Sequence, residues 1–168
     1  GNAASCELDS IFSDNMKPSA SLSFAPNAVA YNSRKLIRAI NTVTATGLDT
    51  PGSGVANGTL SLDGNALTTA ASAVLTKSID TAIYADGAHT LLSAFTDKAG
   101  NNGSISETIT IDNAAPLVTI VSPSAGAVVI RSLSTVSATV LEANGLAEKK
   151  LFIDDIEVLM TESNGVFT

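Results

Sequence analysis

Thr42-Val43-Thr44-Ala45-Thr46, continued by Leu48-Asp49, alternates polar and apolar side chains with a period of two. Successive side chains of an extended chain leave opposite faces, so Val43 and Ala45 line one face and the threonines the other. The same text returns downstream. Ile37-Arg38, Thr42 to Thr46 and Leu48-Asp49 recur as Ile130-Arg131, Thr135-Val136-Ser137-Ala138-Thr139 and Leu141-Glu142, at a constant offset of 93. Two residues are then lost, and Gly54-Val55 and Leu60-Ser61-Leu62-Asp63-Gly64 recur as Gly145-Leu146 and Leu151-Phe152-Ile153-Asp154-Asp155 at offset 91. Upstream, Asp14-Asn15 and Pro18 match Asp112-Asn113 and Pro116 at offset 98. Order and alternation persist over about fifty residues, which describes a tandem array with a period near 95 residues.

Other runs share the strand period. Leu60 and Leu62 fall on one face, as do Leu151 and Ile153, Val136 with Ala138 and Val140, and Ile105 with Ile109 and Ile111. Between them stand Asn57-Gly58, Asp63-Gly64, Asp86-Gly87, Asn144-Gly145 and Asn164-Gly165, dipeptides in which Gly supplies the positive φ of a tight turn. Asn65 to Thr76 is rich in Ala and Leu and could be helical. Its Ser and Thr content and lack of charged pairs favour a loop and a short strand. About seven short strands per repeat predict an all-β protein, an immunoglobulin-like Greek-key β-sandwich in tandem copies.

Three further motifs narrow the fold. Tyr84-Ala85-Asp86-Gly87-Ala88-His89-Thr90-Leu91 is followed by Thr96-Asp97-Lys98-Ala99-Gly100-Asn101, and then by Ile111-Asp112-Asn113-Ala114-Ala115-Pro116. Together they resemble the F strand, the F–G turn and the inter-repeat joint of bacterial immunoglobulin-like repeats. The resemblance covers residues 18–113 directly and residues 114–168 through the internal repeat. It implies one complete sandwich over 18–113 and an incomplete second repeat over 114–168, holding strands A to about E. Residues 1–17 are then a linker, the end of a preceding repeat, or a lipoprotein spacer. Thr168 aligns by offset with Lys77, so the counterparts of residues 78–113 are not in the second repeat.

As a function, the resemblance implies a non-catalytic stalk or adhesion module of a bacterial cell-surface protein. The alternative is an accessory module of a larger secreted hydrolase. Its partners would be neighbouring repeats of the same chain and a protein or host cell-surface ligand. Inner-face residues of the incomplete repeat, such as Val136, Ala138, Leu151 and Ile153, would lie partly uncovered. That predicts self-association through this half or poor order beyond about residue 116.

Composition removes competing classes. The 168 residues carry 9 Lys+Arg against 16 Asp+Glu, a net charge of -7, and only 15% are charged. A chain with so few cations is a poor partner for phosphates, so nucleic acid is not expected. No apolar run reaches the ~18 residues of a membrane-spanning helix. One His, one Cys and no Trp leave little material for thiolate, Cys–His or Ser–His chemistry, so an enzyme is not expected. Cys6, in Ala4-Ser5-Cys6, is either an ordinary terminal thiol or the lipid-anchored cysteine of a processed surface lipoprotein.

His89 lies where the resembled repeats accept Tyr equally well, so it is read as closing the E–F corner rather than as a catalyst. Glu7, Asp9 and Asp14 are read as solubilising, and no EF-hand spacing occurs. With two Tyr and five Phe, few aromatics remain for a sugar-stacking platform. No cofactor is required. One set of hard oxygens could nevertheless hold Ca²⁺ at the joint between repeats: Asp86, Asp112, Asn113 and Glu142. The plain alternative is an Asx turn at Asp112-Asn113 before Pro116.

Overall fold

The computed structural model describes residues 13–26, 28–124, 126, 135–146, 148–163 and 166–168, which leaves Cys6, Glu7, Asp9 and the Asn164-Gly165 dipeptide outside. The chain divides into two compact units, residues 1–112 and 113–168.

The first unit is an all-β sandwich. Its strands are β1 (Ser19–Ala25), β2 (Val29–Tyr31), β3 (Arg34–Ile37), β4 (Ile40–Leu48), β5 (Val55–Leu62), β6 (Asn65–Ala70), β7 (Val74–Asp80), β8 (Gly87–Asp97) and β9 (Asn102–Ile111), with one 3-10 turn at Thr81–Ile83. One sheet has the order β1-β4-β7 and the other β2-β3-β9-β8-β5-β6. All neighbours are antiparallel except β3 and β9, which run parallel through Lys35–Ile109 and Ile37–Ile111.

The core forms where the inner faces meet, as the period-two pattern requires. Val43 and Ala45 of β4, with Leu75 and Ile79 of β7, pack against Leu60, Leu62, Leu91, Phe95, Ile109 and Ile111 of the facing sheet. Burial alternates strictly along β4, while Thr42, Thr44 and Thr46 look outward. Thr42 pairs with Ser78, and Thr44 with Thr76, through hydroxyl hydrogen bonds of 3.1 and 3.3 Å. This cross-strand ladder makes the middle of the outer face polar without charge.

Two readings of the glycines and alanines change. Asn57-Gly58 is not a turn but lies inside β5. A Cβ at Gly58 would stand 2.5 Å from Phe95 Cδ1, and one at Gly47 on the other sheet 2.6 Å from Phe95 Cγ. The ring fills the space that two missing side chains leave between the sheets. Residues 65–76, expected as a loop and a short strand, form β6 and the start of β7, joined by a bend at 71–73. Thr68 and Thr69 suit the pleat, and Thr69 shares a 3.1 Å hydrogen bond with Thr59 across the β5–β6 hairpin. That hairpin closes as its sequence predicts: Asp63 and Gly64 have φ of 50° and 79° between the paired residues Leu62 and Asn65.

The second unit holds β10 (Leu117–Ser122), β11 (Ser137–Leu141), β12 (Leu151–Ile153), β13 (Ile156–Val158), β14 (Glu162–Ser163) and β15 (Val166–Phe167). Its sheets are β10-β11-β15-β14 and β12-β13. The pairing register reproduces that of the first unit. Ser19–Leu48, Ala20–Gly47, Ser21–Thr46 and Leu22–Ala45 have counterparts in Leu117–Leu141, Val118–Val140, Thr119–Thr139 and Ile120–Ala138, at offsets 98 and 93. Leu62–Asn65 returns as Ile153–Ile156 at offset 91, around a tight turn in which Asp154 and Asp155 both have positive φ. Leu75, which pairs with Ala45, returns as Phe167 paired with Ala138, so the offset has become 92 and Thr168 aligns with Thr76 rather than Lys77.

Burial in this unit is shallow. Val136, Ala138 and Val140 are half-buried together with Ser137 and Thr139, so the alternation of β11 is not expressed as burial. Leu117, Val118, Ile120, Val121 and Ile156 are each more than half exposed.

Candidate functional site

At the end of the first unit where β4 and β8 terminate, three carboxylates converge. Asp14 precedes β1, Asp49 follows β4, and Asp97 is the last residue of β8. One carboxylate oxygen from each lies within 4.8 Å of the others. Asp97 is 2% exposed and Asp49 8%, while Asp14 is half-buried.

Local backbone fixes each group. The Thr96-Asp97-Lys98-Ala99-Gly100-Asn101 motif makes the β8–β9 turn, with Gly100 at φ 96°. Asp97 Oδ1 accepts from the Ala99 N–H at 2.9 Å and the Asn101 N–H at 2.8 Å, and Oδ2 accepts from Asn101 Nδ2 at 2.8 Å. Asn101 Nδ2 also donates to the Asp14 carbonyl at 3.0 Å, tying the N-terminal segment to the turn. Asp14 Oδ1 accepts from the Met16 N–H at 3.0 Å and Oδ2 from the Ser53 N–H at 2.6 Å. Ser53, through its hydroxyl and then its N–H, holds the Asp14 carboxyl below the usual carboxylate range, with help from Met16. Asp49 Oδ2 accepts from the Gly54 N–H at 2.7 Å, whereas Asp49 Oδ1 is buried without a hydrogen-bond partner. A Cβ at Gly52 would press into the Asp49 carboxylate, 2.5 Å from Oδ2, so Gly is what admits the carboxylate there.

His89 sits near the opposite end. Its Nε2 donates to the Ala85 carbonyl at 2.8 Å, and its Nδ1 lies 2.6 Å from Asp63 Oδ2. With an acceptor facing each ring nitrogen, the doubly protonated ring is favoured. The Asp63 hydrogen bond raises the His89 pKa above its ordinary 6.5, and the Asp63 carboxyl is lowered in return. Thr90 N–H donates to Asp63 Oδ1 at 2.8 Å, and the Tyr84 ring meets the imidazole edge-on at 5.9 Å. These contacts staple the β5–β6 turn to the segment entering β8. That is a structural assignment.

The expected calcium set is distributed as follows. The Gly87–Ile111 pair puts Asp86 and Asp112 at one sheet end, and the Asp112 N–H donates to the Ile37 carbonyl at 3.2 Å. Asn113 and Glu142 belong to the second unit, where Glu142 Oε1 accepts from the Asn144 N–H at 3.0 Å. Asp14, read from sequence as merely solubilising, is instead engaged in the acidic cluster. Asp49 and Asp97 were not singled out as ligands. A signal for two of the three was present: Asp14 and Asp49 are the repeat counterparts of Asp112 and Glu142, at offsets 98 and 93. In the second unit a groove lined by Val136, Leu151, Ile153, Val158 and Leu159 opens to solvent. Among the described residues, no helix is long and apolar enough to cross a membrane.

No protein-family model matches the chain, and no curated protein matches it. Among solved structures, the endo-β-1,4-mannanase from Thermotoga petrophila aligns over 60% of this chain and 21% of its own, at 15% identity and a TM-score of 0.43. At that level neither fold nor activity transfers from it.

Proposed function

We propose that the chain is a non-catalytic segment of tandem immunoglobulin-like Greek-key repeats, serving as a stalk or adhesion module of a bacterial cell-surface protein. The observation that carries the reading is the shared register of the two units. Four consecutive β1–β4 pairs recur in β10–β11 at the offsets of the sequence repeat. An array of like units lengthens a chain by repetition, which is what a spacer requires. The polar but weakly charged outer face of β4, built from Thr and Ser ladders, supports a role in open solvent. The motif Thr96 to Asn101 forms the β8–β9 turn, which supports the reading.

Antibodies against the first unit test this on intact and permeabilised cells of the source organism. Labelling of intact cells, removed by external protease, is the expected result. Labelling only after permeabilisation overturns it.

A further inference from the structure

We infer that Asp14, Asp49 and Asp97 hold one Ca²⁺ ion, clamping the segment before β1 to the loop after β4 and to the β8–β9 turn. Ca²⁺ takes oxygens at about 2.3–2.6 Å, so two ligands on one ion stand at most about 5 Å apart. The three carboxylate oxygens, within 4.8 Å of one another, meet that limit. Charge gives the reason for an ion. Two of the carboxylates are more than nine-tenths buried, and Lys35, His89, Lys149 and Lys150 pair with Glu107, Asp63, Glu162 and Glu148 rather than with any of the three. Lys98, whose ammonium lies 3.7 Å from a Cβ placed on Gly54, pairs with none of the three. Buried like charges without a counter-ion are costly, and a bound cation removes the cost.

The second observation is independent of the clustering. Asp49 Oδ1 is buried and receives no hydrogen bond, while the other oxygen of the same carboxylate is taken by Gly54. Backbone N–H groups of Met16, Ser53, Gly54, Ala99 and Asn101 orient the three carboxylates, yet none reaches that atom. An oxygen desolvated without a donor is what a cation would satisfy. The donors are all hard oxygens, which excludes a thiolate- or imidazole-selecting metal. Three carboxylates on one ion exceed the one or two that Mg²⁺ ordinarily takes while keeping its waters, which favours Ca²⁺. Backbone carbonyls of the same loops and water would complete the shell.

The test uses the 168-residue chain, stripped of metal with EDTA, in ¹H–¹⁵N correlation spectra and thermal melts against CaCl₂. Expected are saturable shifts of the Ser53, Gly54, Ala99 and Asn101 amides, with a Kd of about 10⁻⁴–10⁻³ M. At saturation the first unit should melt about 5 °C higher. Asp97→Asn and Asp49→Asn should abolish the shifts. Asp14→Asn, on the half-buried partner, should weaken them about tenfold and serves if either buried variant fails to fold. Without calcium, Asp49→Asn should melt no lower than the parent, and with calcium it should melt lower. A purely structural Asp49 would lower the melt in both conditions. No saturable shift by ~20 mM CaCl₂, far above that Kd range, overturns the inference. So do equal shifts with MgCl₂, or shifts that survive Asp97→Asn. Cell-surface labelling is unaffected by any of these outcomes, so this inference and the stalk reading fail separately.

Discussion

Gly58→Ala probes the packing on which the sandwich depends. The new Cβ would stand 2.5 Å from Phe95 Cδ1 and 3.1 Å from Leu75 Cδ1, where side chains are 1% and 3% exposed. Phe95 cannot retreat, because Gly47 of the opposite sheet already admits its ring at 2.6 Å from the position of a Cβ. Overpacking of this kind costs about 1–3 kcal/mol. Removing a flexible glycine from a strand returns about 0.5–1 kcal/mol. The expected net loss is therefore up to ~2.5 kcal/mol and centred near ~1 kcal/mol, which for a unit of this size lowers Tm by roughly 4–8 °C at the centre of that range. Urea unfolding followed by circular dichroism measures it. The decisive comparison is Gly58→Ala in a Phe95→Leu background. A smaller aliphatic side chain vacates the slot, so the cost of the alanine should fall by at least ~1 kcal/mol. Additivity within ~0.3 kcal/mol would refute the argument that the ring and the two glycines are one packing unit.

Leu62→Ala removes a side chain that is 1% exposed between the sheets, and should cost ~2–4 kcal/mol, with a loss under ~0.5 kcal/mol showing that Leu62 does not face the core. The His89–Asp63 pair sets a pH window. Because the folded His89 pKa is raised above 6.5, its contribution is full below that pH and fades as pH climbs through the folded value. The folded Asp63 pKa is lowered below 3.8, so its contribution holds above that pH and is lost on acidification. The advantage of the parent over Asp63→Asn should thus be larger at about pH 5 than at about pH 8.5, and His89 titrating at or below its ordinary value by NMR would contradict this. The exposed Val118 and Ile120 of β10 should drive concentration-dependent self-association that Ile120→Lys reduces, and a sedimentation profile that stays monomeric at high concentration would count against it.

The core was legible wherever one residue's burial is decided by its own strand period. Val43, Ala45, Leu60 and Leu62 are buried as their alternation requires. Asn57-Gly58 misled because glycine has two uses that look alike in sequence. It can supply positive φ, as Gly64 does, or supply no side chain, as Gly58 does beneath Phe95, and only the partner distinguishes them. In the second unit the pattern was legible but its burial was not, since β12 and β13 are three residues each and cover little of β11. The acidic cluster was illegible for a different reason. Asp14, Asp49 and Asp97 are far apart in the chain and share no local spacing, and they meet only because β4 and β8 end at the same rim. The repeat offsets linked Asp14 with Asp112 and Asp49 with Glu142, but no offset points to Asp97.

The pairing of β3 with β9 has a mechanical side. Pro18 lies against Gly103 at the start of β9, where a Cβ would come 2.8 Å from the Pro18 carbonyl carbon. The chain therefore enters the first unit beside the start of β9 and leaves from its end. The stretch of β9 from Gly103 to Ile111 separates those points by ~27 Å. Tension applied between residues 18 and 111 then acts along the strands. The parallel contacts from Lys35–Ile109 to Ile37–Ile111 would be dragged lengthwise, sharing the load, rather than peeled apart one at a time. Resistance to such stretching is set by the rate of unfolding under load and not by equilibrium stability. Pulled from residue 18, β1 is loaded before β3, so its pairs with β4, from Ser19–Leu48 to Ala25–Thr42, carry the load ahead of the parallel β3–β9 contacts.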